Sequence, residues 1–168
     1  MVERRLVLRP LAAETFVAYG DMVTSLGRTG SRINAGTSLR VEMPEPDVLA
    51  QGGRPSLSVF KASAVRLPIE VHELERHRFG SQTFLPLGGT SFVMVVALGD
   101  EKPDVRTMAA FEGDGACGVT FRRGVWHHPL LALRDGDFAV LERGNAEVDC
   151  EVASVRLGPW LICSGPEL

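Results

Sequence analysis

What this chain lacks narrows its roles before any motif is read. Its 18 Lys and Arg are outnumbered by 21 Asp and Glu, the formal net charge is -3, and no run of basic residues occurs. That leaves no electrostatic footprint for a nucleic-acid backbone or an anionic membrane surface. No apolar stretch is long enough to cross a bilayer. The opening MVERRLVLRPL is basic and then apolar, but Leu6-Val7-Leu8 is cut by Arg9 and Pro10, too short for the apolar region of a signal peptide. Cysteine is scarce. Cys117, Cys150 and Cys163 are odd in number, lack metal-type spacing and have no histidine close in sequence, so they read as buried, reduced thiols of a cytoplasmic protein. No internal repeat, linker or low-complexity segment divides residues 1–168, and a single domain with one sizeable core is expected.

What is present is a succession of short apolar segments separated by turn residues. Strands are expected over residues 57–62, 69–77, 83–87, 91–97, 118–121, 125–133, 138–142 and 151–155, with an opening or edge strand at 6–8. Short strands at this spacing predict an all-β sandwich or barrel. Two short helices are expected. One covers residues 12–18 with Phe16 turned inward and ends at Tyr19-Gly20-Asp21; the other covers 105–111, started by Lys102-Pro103-Asp104. Residues 25–53 are rich in Gly, Ser, Pro and Asn, with Ile33 and Leu39-Arg40-Val41 as apolar anchors, and read as a long loop carrying one short strand. Such a loop fits a functional role and a mobile, solvated one equally well.

The stretch VHELERHRFGSQTFLPLGG, residues 71–89, puts two histidines, two glutamates, a glutamine and two arginines into what otherwise reads as buried sheet. Alternation along a strand over 71–77 sets Glu73, Glu75 and His77 on one face and His72, Leu74 and Arg76 on the other. RFGS then reads as a turn, with Gly80 supplying positive φ, so that Gln82 returns beside Glu75 and His77. The remaining histidines, His127 and His128, lie in GVTFRRGVWHHPLLAL. Being consecutive on a strand they point to opposite faces, and Pro129 holds the second extended, so one of them can share a cavity with His77. A histidine taken alone is most simply a hydrogen-bonded core or surface residue; four in two strands with flanking carboxylates point to a site. Glu75, His77, Gln82 and one of the paired histidines make a nitrogen and oxygen set able to hold nickel, zinc, iron or copper. A metal-free polar pocket, with Glu75 and His77 as acid and base, fits the same residues.

Arg106, Arg122, Arg123 and Arg143 are candidate carboxylate binders, since a guanidinium facing the cavity grips a small acid through two parallel hydrogen bonds. On an outer face each is merely solvated. Alternation sends Arg122 and Arg123 opposite ways, and Glu142 and Asp149 fit partners for these arginines as readily as catalytic groups.

Two resemblances follow. Glu75-x-His77, four residues, Gln82, six residues and Gly89 resemble the first cupin motif with Glu and Gln in place of its His and Glu, while Gly124-Val125-Trp126-His127 resembles the second and selects His127 over His128 as the inward histidine. More specifically, VHELERHRFGSQTFLP, MVVALGDEKPD, GVTFRRGVWHHPL and DFAVLERG, distributed over residues 71–144, resemble segments of the ureidoglycolate lyase family. RPLAAETFVAYGDMV and RINAG look familial too. The chain departs from the family at Arg78, where proline is usual, and at Arg122, where histidine is common.

The resemblance implies a homodimeric, cupin-like double-stranded β-helix, a jelly-roll barrel, in allantoin breakdown, splitting (S)-ureidoglycolate into glyoxylate and urea. It implies either no cofactor or a divalent metal, nickel before others, on Glu75, His77, Gln82 and His127. In that reading Glu75 and His77 carry protons, His127 serves as acid or metal ligand, Gln82 orients the ureido group, Arg123 binds the carboxylate and Asn34 contributes to closure over the substrate. Two rivals remain: a cupin-fold protein that senses glyoxylate without turnover, and a metal-dependent cupin enzyme acting on another small carboxylic acid.

Overall fold

Strand Phe92–Ala97 shows how the molecule is layered. All six of its residues are buried, and they alternate between two cores: Phe92, Met94 and Val96 enter one, Val93, Val95 and Ala97 the other. A strand buried on both faces sits in a middle layer. In this computed structural model, which describes residues 4–145, 149–155 and 160–164, that layer is a seven-stranded sheet. Against one face lies a five-stranded sheet made from Gly20–Val23, Gly118–Phe121, Gln82–Leu87, Gly136–Gly144 and Arg54–Ala62, in that spatial order. Against the other lies a three-stranded sheet of Arg4–Val7, Trp160–Cys163 and Ile69–Val71. The chain is thus an all-β jelly-roll. Residues 1–3 of the basic opening segment lie outside the described residues.

The first core is aromatic. Phe16, Phe84, Phe92, Phe111, Phe121 and Phe138 fill the space between the two large sheets, with Phe16 set edge-on to Phe111 at 5.4 Å. Each such side chain contributes about 1.5–3 kcal/mol on burial. The second core, on the other side of the middle layer, holds Val71, Leu74, Trp126 and Ile162. None of the described helices is long and apolar enough to cross a membrane.

Several expected elements differ in extent. The first helix is a single turn, Ala13–Phe16, with Phe16 fully buried. The second expected helix, 105–111, is a 3-10 turn at Val105–Thr107 followed by strand Ala109–Gly113. Asp104 caps only that turn, accepting from the Arg106 backbone N–H at 3.0 Å. Ala109 and Phe111 then enter the first core and Ala110 the second, so the apolar run carries no helical period. The strand expected over 69–77 breaks at His72 into Ile69–Val71 and Glu73–Arg76, which join different sheets. Val71 and Leu74 both enter the second core, which unbroken alternation forbids. The strand expected over 125–133 is likewise split into Trp126–His127 and Leu131–Ala132, with Pro129 between them unable to donate to a ladder.

Gly80 does not take positive φ. Glycine is needed there for space: a Cβ would sit 2.6 Å from the Arg143 Cβ. The loop over 25–53 carries a hairpin, Ser31–Ile33 with Ser38–Arg40, and its end is tied down by Arg143, whose Nε donates to the Ala50 carbonyl at 2.7 Å and Nη2 to that of Gln51 at 3.0 Å.

Candidate active site

The first core ends in polar side chains, and period-two alternation places them. On strand Gln82–Leu87 the inward residue Phe84 fixes Gln82 as inward too. Gln82 lies opposite Phe121 on one neighbouring strand and opposite Glu142 on the other. Phe138, Val140 and Glu142 therefore form an inward row whose last member is charged. From the middle layer, His127 lies directly opposite Glu75 and turns into the same space, its ring stacked on Phe121. Gly124 sets up that approach. It adopts φ +79 and its N–H donates to the His77 carbonyl at 2.7 Å, tying the two histidine segments together.

Glu75, His77 and His127 each offer a ligand atom within 4.8 Å of the others, and no other group of three such residues occurs among the described residues. The rings of His77 and His127 lie 5.5 Å apart. Backbone carbonyls fix both tautomers. His127 Nδ1 donates to the Val125 carbonyl at 3.0 Å, and His77 Nδ1 to the Asp149 carbonyl at 2.9 Å. A carbonyl only accepts, so Nδ1 of each ring carries a proton and Nε2 is the nitrogen turned toward the site. Both Nε2 atoms are buried without a hydrogen-bond partner. Burial holds the His127 pKa down to about 3, with the neighbouring imidazoles acting in the same direction, so this ring is neutral at physiological pH.

Glu75 completes the set. Its Oε1 lies 3.6 Å from His127 Nε2, and its side chain is 22% exposed, the opening of the group to solvent. Gln82 donates from Nε2 to Glu142 Oε2 at 2.8 Å, which leaves its Oε1 buried and unpartnered. Two bare imidazole nitrogens, a carboxylate and an amide oxygen fit the donor preferences of a divalent transition metal, and equally of a substrate bearing several N–H and O–H groups.

The other expected site residues lie elsewhere. Arg123 is 58% exposed, pairs with Asp47 at 3.3 Å, and lines a neighbouring depression with Gly124, Val125 and Arg78. Asn34 lies at the tip of the exposed hairpin with φ 52, its side chain donating to Ser38 Oγ at 3.3 Å. His128 turns to the opposite side from His127 and lines a separate depression with His72 and Glu73. Arg122, Arg143 and Arg106 are committed to structure: Arg122 to the Val17 carbonyl and Asp21, Arg143 to the loop end, and Arg106 to Asp104. Of the two readings open for Glu142 and Asp149, pairing with these arginines is not seen among the described residues. Glu142 accepts from Gln82, and the Asp149 carboxylate accepts the Phe79 N–H at 2.9 Å.

Two contributors reach the site by contacts the sequence did not show: Asp149 through its backbone carbonyl and Cys150 through its thiol. Asp149 and Cys150 lie in a segment without periodicity, yet they touch His77 and Glu75. Cys150 Sγ is 3.6 Å from Glu75 Oε2, and burial, reinforced by the Glu75 charge, pushes its thiol up to about 11. It is a neutral donor.

An inward cluster of histidines and a carboxylate at the polar end of a jelly-roll core defines a class of small-molecule site, one built between the sheets. Comparison with known proteins narrows the class. Residues 3–162 match the family model described as ureidoglycolate lyase. Proteins named ureidoglycolate lyase from Salmonella typhimurium and Salmonella newport, and another from Escherichia coli O6:H1, are each 42% identical to this chain over 153 residues, covering 90% of it and 94% of their own length. The chain belongs to the ureidoglycolate lyase family.

Proposed function

We propose that this chain is a ureidoglycolate lyase that cleaves (S)-ureidoglycolate into glyoxylate and urea, a step of allantoin breakdown. The observation that carries the reading is the convergence of Glu75, His77 and His127, with both imidazole Nε2 atoms buried and unpartnered, in a chain so similar to proteins of that name.

The substrate's central carbon bears a hydroxyl, a carboxylate and a ureido nitrogen. Cleavage turns the C–OH into the C=O of glyoxylate while the C–N bonding pair leaves with urea nitrogen. The hydroxyl proton is lost and one proton is gained by nitrogen, so no water is consumed and a single proton shuttle closes the balance. Glu75 and His77 take the hydroxyl proton and return it to nitrogen, without which urea would leave as a poor anion. Of the acid and metal-ligand roles, His127 is fitted to the second: it is neutral and its ring proton is held at Nδ1 by the Val125 carbonyl, so Nε2 has a lone pair and no proton to give. Gln82 Oε1, aimed by Glu142, receives a ureido N–H. Arg123, whose Nε pairs with Asp47 and whose terminal nitrogens donate no hydrogen bond to the described residues, is the group assigned to the carboxylate. Asn34 is assigned to closure, which requires the hairpin to move from the position it has here. In the metal-dependent alternative Glu75, His77, Gln82 and His127 would instead hold a divalent metal, nickel by its liking for imidazole and oxygen donors, and the ion would supply Lewis acidity at the substrate hydroxyl.

We further read the protein as a cytoplasmic homodimer with a cupin-type barrel. The three cysteines are free, as a reducing compartment keeps them. A second copy is supported by the nine-residue strand Arg54–Ala62 at the open edge of the five-stranded sheet, where Leu57 and Val59 stand exposed. Light scattering on the purified chain reads this directly; a monomer mass ends the dimer assignment.

The activity is tested by urea and glyoxylate release from (S)-ureidoglycolate. The wild-type chain is expected to yield both in equal amounts, and His77→Ala and His127→Ala to lose about 100-fold or more in kcat. A purified, folded, metal-supplemented protein that binds glyoxylate but releases no urea would overturn the reading in favour of a binding protein.

A further inference from the structure

We propose that Cys150 is a positioning residue whose S–H donates to Glu75 Oε2 and so aims Oε1 of that carboxylate at the reacting group. The inference rests on the lyase reading of the site and adds a residue to it.

The segment leading into strand Glu151–Ser154 grips the site strand residue by residue. The Asp149 carbonyl accepts from His77 Nδ1, and the Asp149 carboxylate accepts the Phe79 N–H. Cys150 Sγ reaches Glu75 Oε2, and the Glu151 carboxylate holds Arg76 Nε at 2.7 Å and Arg78 Nε at 2.8 Å. Strand Glu151–Ser154 then pairs antiparallel with Glu73–Arg76. Two of the three groups of the site thus take their orientation from two consecutive residues, Asp149 and Cys150.

The last torsion of a glutamate is broad and roughly two-fold, so packing alone does not set the plane of its carboxylate. A donor on one oxygen sets it. With Oε2 facing the thiol, Oε1 is left facing His127 Nε2 at 3.6 Å. The choice of donor has a chemical logic. An arginine or lysine there would pair with Glu75 and remove its basicity, whereas a thiol is a weak donor that orients the carboxylate and leaves its charge available.

The test compares Cys150→Ala, Cys150→Val and Cys150→Ser in the full chain. Cys150→Ala is expected to lower kcat about tenfold, the scale of a small misalignment, with KM for ureidoglycolate changed much less. Cys150→Ser, which restores a donor, regains most of that loss; Cys150→Val, which restores bulk alone, does not. Equal kcat in Cys150→Ala and wild type, or recovery in Cys150→Val as full as in Cys150→Ser, overturns the proposal. An infrared measurement reads the contact without turnover. The S–H stretching band assigned by the wild-type minus Cys150→Ala difference should move to higher frequency in Glu75→Leu, where the acceptor is gone, and an unmoved band overturns the proposal. If the wild-type chain released no urea, the lyase reading would fail while this spectroscopic test of the contact still stood.

Discussion

The imidazole of His127 lies stacked on the phenyl ring of Phe121, centroids 4.6 Å apart and planes 21° from parallel. The stack joins the two large sheets, since Phe121 belongs to the five-stranded sheet and His127 to the middle layer. It shields one face of the ring while the Val125 carbonyl fixes its proton, so the direction of Nε2 is set by two contacts from different layers. Phe121→Ala should remove both packing and shield, costing about 3–5 kcal/mol in chemical denaturation. Phe121→Leu keeps most of the volume and loses the stack. It should lower kcat for urea release with a much smaller loss of stability, and an unchanged kcat in that variant would detach the stack from the chemistry.

Glu151 gives the chain an acid sensitivity away from the reacting groups. Hydrogen bonds from Arg78 and then Arg76 hold its carboxyl below the ordinary 4.5. A carboxyl with a lowered folded-state pKa contributes stability above the unfolded value, and that contribution disappears as pH falls through the folded value. Stability should therefore decline on acidification below about pH 4.5, and Glu151→Gln should flatten that part of the melting-temperature profile against pH. Arg76 is the less replaceable partner. Its side chain is 5% exposed, lies 4.6 Å from the Trp126 ring and donates to the Asp100 carbonyl as well as to Glu151. Because Glu151 remains partly solvated, Arg76→Leu should cost about 2 kcal/mol, short of the about 3–5 of a wholly buried pair, as read by urea denaturation.

Gly80 and Gly124 are constrained for different reasons, and alanine separates them. At Gly124 nothing lies within 4 Å of where a Cβ would stand, so Gly124→Ala meets only the cost of a left-handed backbone, about 1–2 kcal/mol. At Gly80 the added methyl would meet the Arg143 Cβ at 2.6 Å, an atom fixed to the main chain of the Gly136–Gly144 strand. Backbone must shift, and with it the Asp47 carbonyl that accepts from Ser81 N–H. Gly80→Ala should thus be the more destabilising of the two in thermal melts; the reverse order would mean that the turn has room to spare.

Part of the site was legible because it follows period-two alternation. Glu75 and His77 fall on one side from spacing alone. Gln82 does return beside them after the RFGS turn, though not through the positive φ expected at Gly80, and it is the resemblance to the second cupin motif that separates His127 from His128. Alternation fails where a strand is buried on both faces or the chain changes sheets. Ala109-Ala110-Phe111 is apolar throughout and so has no readable period, and Val71 and Leu74 enter one core because of a break at His72 that no local residue announces. Arginine roles were not legible for a further reason. Whether Arg143 binds a ligand or the Ala50 carbonyl depends on a contact across 93 positions, and the thiol of Cys150 reaches Glu75 across 75.

Gln82 connects the site to a second carboxylate, and that link can be tested by metal binding without turnover. Glu142 accepts from Gln82 Nε2 and thereby decides which end of the amide faces inward. With Glu142 replaced by leucine the amide has no reason to keep Oε1 inward, and an inward NH2 group is a donor that no cation accepts. In equilibrium dialysis against Ni²⁺, wild type should bind one ion per chain, and His77→Ala and His127→Ala should lose that binding. Glu142→Leu should weaken it about 10–100-fold although Glu142 is outside the donor set, the size of effect seen when an outer partner of a ligand is removed. Gln82→Leu should weaken it to a similar extent. If Glu142→Leu binds as wild type does while Gln82→Leu does not, the amide is held by something other than Glu142, and its assigned orientation is wrong.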